Sequence, residues 1–244
     1  MNLCDELTIR MLLERHGFHF SKSMGQNFLI DPQIPADIAA ASQADETCGV
    51  LEIGPGIGPL TSELAQRAGK VVSIELDRAL LPILAETMAP YSNVEIVPGD
   101  VTRLDLKALI GEKFAGLRPI VCANLPYYIT SPIVMKLLGD RLPIESLTVM
   151  VQKEAADRLA AVTRASSAIS CAVSYYATSK MMFTAAPGSF YPAPKVTSAV
   201  VRMEIRPQPA VQVEDEEGYF ALVRAAFGQR RKTAANAIAS GLGM

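Results

Sequence analysis

From Gly49 to about Ala161 the chain alternates short apolar runs with segments of helical period. The runs Val50–Ile53, Lys70–Leu76, Val94–Val97, Pro119–Ala123 and Leu147–Val151 are too short for helices and predict five strands. Between them, helices are predicted from the Gly54–Thr61 turn to about Ala68, over Arg78–Met88, near Leu104–Ile110, over Ser131–Leu138 and over Glu154–Ala161. In the second of these, Leu80, Leu81, Leu84 and Met88 share one face. Strands separated by helices predict a parallel, doubly wound α/β sheet covered on both faces.

The flanks follow a different rhythm. Leu7–Arg15 predicts a short, partly amphipathic helix ending near Gly17, and Phe18–Leu29 is too mixed for a regular element and is read as an ordered arm. Asp31 and Pro32 open a helix towards Ser42. After Ile169 come a helix to Tyr176 and strands over Lys180–Thr184 and Ser198–Ile205. So close in sequence, these two form an antiparallel pair closing the sheet edge and bring the expected strand count to seven. The Pro-rich aromatic loop Pro187–Lys195 lies between them. Arg206–Pro209 reads as a linker, which divides the chain into a domain of residues 1–206 and a helical appendage of residues 207–244 with two helical segments.

Half of the 244 residues are hydrophobic and a fifth are charged, a balance that permits a sizeable core. No apolar run approaches the roughly 20 residues that span a bilayer, and Met1–Arg10 lacks the layout of a secretory signal, so a cytoplasmic protein is expected. Cys4, Cys48, Cys122 and Cys171 have no metal-ligand spacing and read as buried free thiols. His16 and His19 lie outside any motif, so no metal site and no histidine base are expected. Residues 1–150 carry 12 basic and 18 acidic side chains, whereas residues 151–244 carry 11 and 7. This asymmetry fits a polyanion docking on the C-terminal side, although solvated surface charge produces such splits too.

Candidate chemistry collects at the carboxyl ends of the strands, where doubly wound sheets bind ligands. The first strand leads into Glu52-x-Gly54-x-Gly56-x-Gly58, glycines that let backbone approach a ligand at a helix N-terminus. A dinucleotide fingerprint requires glycine where Pro59 stands. That departure disfavours a pyrophosphate, and with it a nicotinamide oxidoreductase, and favours S-adenosylmethionine. Glu75 ends the second strand, placed for ribose hydroxyls, and Asp100 ends the third, placed for an adenine amine. Each alone could be a solvated strand-end carboxylate; together with the glycine loop they favour an adenosine site. The fourth strand breaks at Asn124-Leu125-Pro126-Tyr127. An ordinary strand-to-helix turn would use the same Asn and Pro. The other reading is a grip on a flat hydrogen-bonding base. The Asn124 amide oxygen and the Leu125 carbonyl, its direction set by Pro126, would then accept from an adenine amine. Tyr127 would stack on the base, and Phe190 is either its opposing ring or a hydrophobic anchor.

These motifs resemble the ribosomal RNA adenine N6,N6-dimethyltransferase family. The resemblance runs from Phe20 to about Thr233 and includes Gly25-Gln26-Asn27-Phe28-Leu29, the glycine loop, Glu75-Leu76-Asp77 and Gly99-Asp100. It continues through Asn124-Leu125-Pro126-Tyr127-Tyr128-Ile129, Phe190-x-Pro192-x-Pro194-Lys195-Val196 and Gln229-Arg230-Arg231-Lys232-Thr233. The continuation Tyr128-Ile129-Thr130-Ser131-Pro132 is similar to the small-subunit branch rather than the erythromycin-resistance methylases. The resemblance implies a Rossmann-like S-adenosylmethionine methyltransferase fold and dimethylation of two adjacent adenines in a hairpin loop near the 3′ end of small-subunit rRNA, within an assembling subunit. It implies cofactor contacts from Gln26, Asn27, Leu29, Gly54, Gly56, Glu75, Leu76, Asp100, Val101 and Asn124, and RNA contacts from Lys195, Arg230, Arg231 and Lys232. A monomer is expected. Two departures stand out: the segment from Ala161 to Ile169 is shorter than in the family, and the chain stops at Met244, short of the family's full helical domain. Both bear on RNA docking more than on catalysis. Rival readings are a methylase of large-subunit rRNA or DNA adenine, and a ribosome-assembly binder with secondary methylation.

Overall fold

The computed structural model describes residues 1–20, 25–160, 167–229 and 231–243. In chain order its elements are α1 (Glu6–Arg15), β1 (Phe28–Leu29), α2 (Gln33–Ser42), β2 (Cys48–Ile53), α3 (Pro59–Ala65), β3 (Lys70–Glu75), α4 (Leu81–Thr87) and β4 (Val94–Pro98). There follow α5 (Leu106–Lys113), β5 (Arg118–Asn124), α6 (Thr130–Gly139), β6 (Ser146–Gln152) and α7 (Lys153–Leu159). The last are α8 (Ala168–Tyr176), β7 (Ala177–Ala185), β8 (Phe190–Tyr191), β9 (Ser198–Ile205), α9 (Glu216–Phe227) and α10 (Ala234–Leu242).

Seven strands form one sheet in the order β4-β3-β2-β5-β6-β9-β7. β2 to β6 run parallel, and β9 enters antiparallel between β6 and β7. The expected fold class stands, and so does the antiparallel closing pair. Every residue of β2 is buried, as are Ser146–Val151 of β6, because helices cover both faces; uninterrupted apolar runs are the sequence form of such strands. The edge strand β7 instead alternates exposed and half-buried positions, with an irregularity between Met181 and Phe183. The strand order reverses between β2 and β5. Their carboxyl ends therefore part to form the crevice in which such sheets bind ligands.

Local chemistry sets the helix starts. Asp5 accepts from the Thr8 amide at 2.8 Å to cap α1, Asp105 caps α5 through Ala108, and Asp215 caps α9 through Gly218. Some boundaries differ from the sequence reading. The helix after the glycine loop ends at Ala65 rather than Ala68, and the predicted Arg78–Met88 helix opens as a 3₁₀ turn, Arg78–Leu80, before α4. Pro82 at the start of α4 has no N–H to give, which suits that junction. The arm is not wholly irregular: β1 pairs antiparallel with β8, Phe28 opposite Tyr191 and Leu29 opposite Phe190. Cys4, Cys48 and Cys122 are buried free thiols, while Cys171 is only half-buried. Among the described residues no helix is long and apolar enough to cross a membrane, and no cluster of three metal-ligating side chains occurs.

The C-terminal helices join the sheet domain through aromatic packing. Tyr176 and Phe220 stack at 5.5 Å, Tyr175 and Tyr219 at 5.2 Å. The Glu216 carboxylate accepts from the Tyr175 and Tyr176 hydroxyls at 3.1 and 2.6 Å and pairs with Arg141. Burial pushes this carboxyl up, but the two phenols and the guanidinium outweigh it and hold it below the ordinary value.

Candidate active site

β2 leaves the sheet at Ile53 and turns through Gly54, at φ 68°, whose N–H donates to the Ile74 carbonyl at 2.9 Å. The turn ends at Gly58, at φ 96°, which caps α3, and Pro59 at the first helical position continues from it. The Gly56 N–H points at Oε2 of Glu75 at 3.4 Å, and the Asp77 N–H donates to Oε1 at 2.8 Å. Glu75 is only 6% exposed. Burial pushes its carboxyl up to about 7, against the lowering effect of the Asp77 and Gly56 amides. Asp77 in turn accepts from the Gln26 side chain at 2.7 Å, which fastens the arm across the end of β3.

A second carboxylate lies one strand further out. Asp100 follows β4 and accepts from the Thr102 hydroxyl at 2.7 Å and the Thr102 amide at 2.9 Å. These bonds, with help from Arg103, hold it below the ordinary value although burial opposes them, so it stays charged at neutral pH. Beneath the glycine loop, Glu52 is buried and accepts on one oxygen from Thr61 at 2.7 Å and Ser73 at 2.6 Å. It therefore ties α3 and β3 to β2 below the turn. Burial pushes it, too, up to about 7.

On the other side of the switch point β5 ends at Asn124, half-buried. The Leu125 N–H donates to the Met150 carbonyl at 3.0 Å, and the Pro126 carbonyl accepts from the Ile129 amide and the Thr130 hydroxyl, each at 3.2 Å. The turn is thus fixed to β6 and to the start of α6. Tyr127 is half-buried, and its hydroxyl lies 2.5 Å from Ser198 Oγ. Burial raises the phenol's pKa against the effect of that bond, so it stays protonated at neutral pH.

One cleft joins these groups. Its walls include Gln26, Asn27, Leu29, Gly54, Gly56, Glu75, Leu76, Asp100, Val101, Asn124, Leu125, Pro126, Tyr127 and Phe190, all of the cofactor and catalytic residues singled out in the sequence. Its chemistry fits S-adenosylmethionine. Two carboxylates stand on neighbouring strand ends with the apolar Leu76 and Val101 beside them, and a glycine turn brings backbone alongside Glu75, where a Cβ at Gly56 would stand 3.5 Å from the Phe28 ring.

A family model described as ribosomal RNA adenine dimethylase matches residues 17–244. The chain belongs to that family. Ribosomal RNA small subunit methyltransferase A of Anoxybacillus flavithermus is 52% identical over 228 residues, 92% of this chain and 77% of that protein. Its Bacillus pumilus counterpart is 46% identical over 244 residues, 99% and 84% of the two chains. Among solved structures, a dimethyladenosine transferase from Plasmodium falciparum is 30% identical with a TM-score of 0.71, covering 86% of this chain and 74% of that one. The 23S rRNA methyltransferase ErmE is 28% identical with a TM-score of 0.69, covering 88% and 84%.

Within this dimethylase framework the sequence-predicted residues divide. Phe190 lines the cleft but is only 3% exposed and packs into the core beside Leu29, so it forms wall rather than a projecting wedge. The Asn27 side chain donates to the Gly25 carbonyl at 2.8 Å, bracing the arm at the cleft rim. Lys195, Arg231 and Lys232 are exposed and outside the cleft, whereas Arg230 and most of the Ala161–Ile169 segment lie outside the described residues. Sequence reasoning passed over Asp77, Glu52 and Ser198. The first two stood inside quoted motifs without a role, and Ser198 was visible only as a polar residue at the head of an apolar run.

Proposed function

We propose that this chain transfers methyl groups from S-adenosylmethionine to N6 of adenine in small-subunit rRNA, twice per adenine, at two adjacent adenines of a hairpin loop near the 3′ end. The observation that carries the reading is the meeting of the Asn124–Tyr127 turn with Glu75 and Asp100 in one cleft at the sheet's switch point. The cofactor supplies an electrophilic methyl group. The protein's task is to hold a poor nucleophile in line with it. The Asn124 side-chain oxygen and the Leu125 carbonyl accept from the adenine amine, which draws its nitrogen towards a tetrahedral shape. Because the Leu125 N–H is already committed to Met150 and the Pro126 carbonyl to Ile129 and Thr130, the backbone that carries the Leu125 carbonyl is held in place. No strong base is needed, since the amine proton becomes acidic once the methyl has moved. Glu75 takes the ribose hydroxyls and Asp100 the cofactor's adenine amine, and the arm of Gln26, Asn27 and Leu29 closes over the cofactor.

A base must leave its stack to reach this turn, and loop nucleotides are already partly unstacked. The Tyr127 ring offers a stacking face, and the edge of Phe190 bounds the other side. Exposed Lys195, Arg231 and Lys232 contact the RNA backbone, and Arg230 belongs to the same basic run. The protein works as a monomer on an assembling subunit in the cytoplasm. The test is incubation with radiolabelled S-adenosylmethionine and unmethylated small subunits, large subunits or duplex DNA. Label is expected in small-subunit adenines alone; label confined to large subunits or DNA would overturn the reading. Asn124→Ala should abolish transfer while subunit binding persists.

A further inference from the structure

Ser198 belongs to no part of the chemistry described above, yet it is fully buried beside it. It is the first residue of β9, paired with Gln152 of β6 and Ala185 of β7, and the aromatic loop bearing Phe190 runs directly into it. Its hydroxyl meets the Tyr127 hydroxyl at 2.5 Å across 71 residues of sequence. The turn that holds Tyr127 is pinned at its backbone to β6 and α6. Backbone bonds leave the two side-chain torsions of a tyrosine free. A hydrogen bond at the tip of the ring fixes the first, because the phenol oxygen moves with it, and biases the second, because a phenol O–H keeps close to the plane of its ring. The bond also satisfies a hydroxyl in a largely buried place, where an unmatched one is costly.

We propose that Ser198 is a positioning residue for methyl transfer. By holding the tip of Tyr127 it fixes where the ring stands and biases the plane against which the target adenine lies, and so the direction from the adenine nitrogen to the methyl group. This rests on the stacking role given to Tyr127 under the proposed function. It also explains why a hydroxyl stands at the head of a strand whose next three residues, Ala199, Val200 and Val201, are buried and apolar. Ser198 neither lines the cleft nor touches the cofactor region, so its loss should leave cofactor affinity intact.

The test is a double-mutant cycle read by single-turnover methylation of unmethylated small subunits, with cofactor affinity and melting temperature measured on each variant. Ser198→Ala and Tyr127→Phe remove the same bond from opposite ends. Each should slow transfer about 10- to 100-fold, the scale of a misplaced reactant. Cofactor affinity should stay within about twofold of wild type, and the double variant should be no slower than the slower single one. Additive losses, an unchanged rate in either folded single variant, or a loss that tracks weakened cofactor binding would each overturn the assignment. If Ser198→Ala does not fold, Tyr127→Phe decides alone, and its full activity would be fatal. Wild-type protein that leaves small subunits unlabelled would overturn the proposed function itself, and the positioning role with it.

Discussion

With Glu75 taking the ribose hydroxyls, as proposed above, cofactor affinity should depend on pH in a way that can be calculated. Its carboxyl sits under the glycine loop at about 7, raised from 4.5 mainly by burial. Ribose hydroxyls donate to a carboxylate far better than to a carboxylic acid, so binding requires the ionised form and pulls the pKa back down. The apparent dissociation constant is then multiplied by one plus the ratio of protonated to ionised Glu75, about 11 at pH 6 and close to 1 at pH 8, so affinity should rise about tenfold across that interval. Asp100 contributes nothing to the slope, because its bonds to Thr102 keep it ionised throughout.

The assay is titration calorimetry with methylthioadenosine, which keeps the ribose hydroxyls and the adenine amine but has no group that titrates between pH 6 and 8. At pH 6 binding should release close to one proton, seen as a heat that changes with the buffer's ionisation enthalpy. Glu75→Gln retains the shape and removes the charge: its affinity should be lower at pH 8 and flat with pH. An affinity in the wild type that does not change from pH 6 to 8 would refute the role given to Glu75. A slope that survives Glu75→Gln would transfer the titration to Glu52, which that variant leaves in place.

Glu52 affects stability by the same physics. Its folded-state value, about 7, stands above its ordinary 4.5, so its contribution is fully present below pH 4.5 and is lost as pH rises to 7, a loss of about 3 kcal/mol, and Glu52→Gln should remove that share of the decline in urea unfolding. Gly58→Ala forces a Cβ onto a residue at φ 96° and within 2.5 Å of Met88 Cε; the flexible methionine can move, the backbone cannot, and a loss of about 1–2 kcal/mol in urea unfolding is expected. Thr148 Oγ1 is buried without a hydrogen-bond partner among the described residues, so Thr148→Val should raise the melting temperature, by the equivalent of about 1 kcal/mol. Phe220→Ala removes a ring shared by Tyr175, Tyr176 and Tyr219, and should expose α9 and α10 to limited proteolysis while leaving the affinity for methylthioadenosine unchanged.

The frame of the site could be read from the chain because it is written in local terms. Strands buried on both faces appear as apolar runs, such as Val121–Ala123 and Val149–Val151, and the strands that reach the cleft end where the chemistry changes, at Gly54, Glu75, Asp100 and Asn124. A parallel sheet brings such ends together whatever lies between them, which is why these four strand ends could be assigned to one cleft from the chain, whereas Gln26, Asn27 and Leu29 of the arm came only with the family resemblance. The β1–β8 pair has no such signature. Two residues cannot display a period, and the bonds that define this small sheet join Phe28 and Leu29 to residues more than 160 positions away.

Polar residues inside the strands were hidden for a related reason. Thr148 of β6 pairs with Cys122 of β5 on one side and Arg202 of β9 on the other, so the three side chains share one face of the sheet. α2 covers that face. Arg202 donates to the Ala41 and Ser42 carbonyls at its C-terminal end, at 3.1 and 2.5 Å, where a cation matches both the helix dipole and carbonyls that lack a helical partner. Along β9 the same arginine only interrupts an apolar run. Ser73 in β3 is likewise a single break in an apolar run and Ser198 a polar residue at the head of one, and each becomes intelligible only through a partner on another element, Glu52 or Tyr127. The acceptors and carboxylates that would meet ligands lie at strand ends and are legible one by one. The bonds that aim them run between strands and helices, and such a bond leaves in either segment no more than one polar letter out of place.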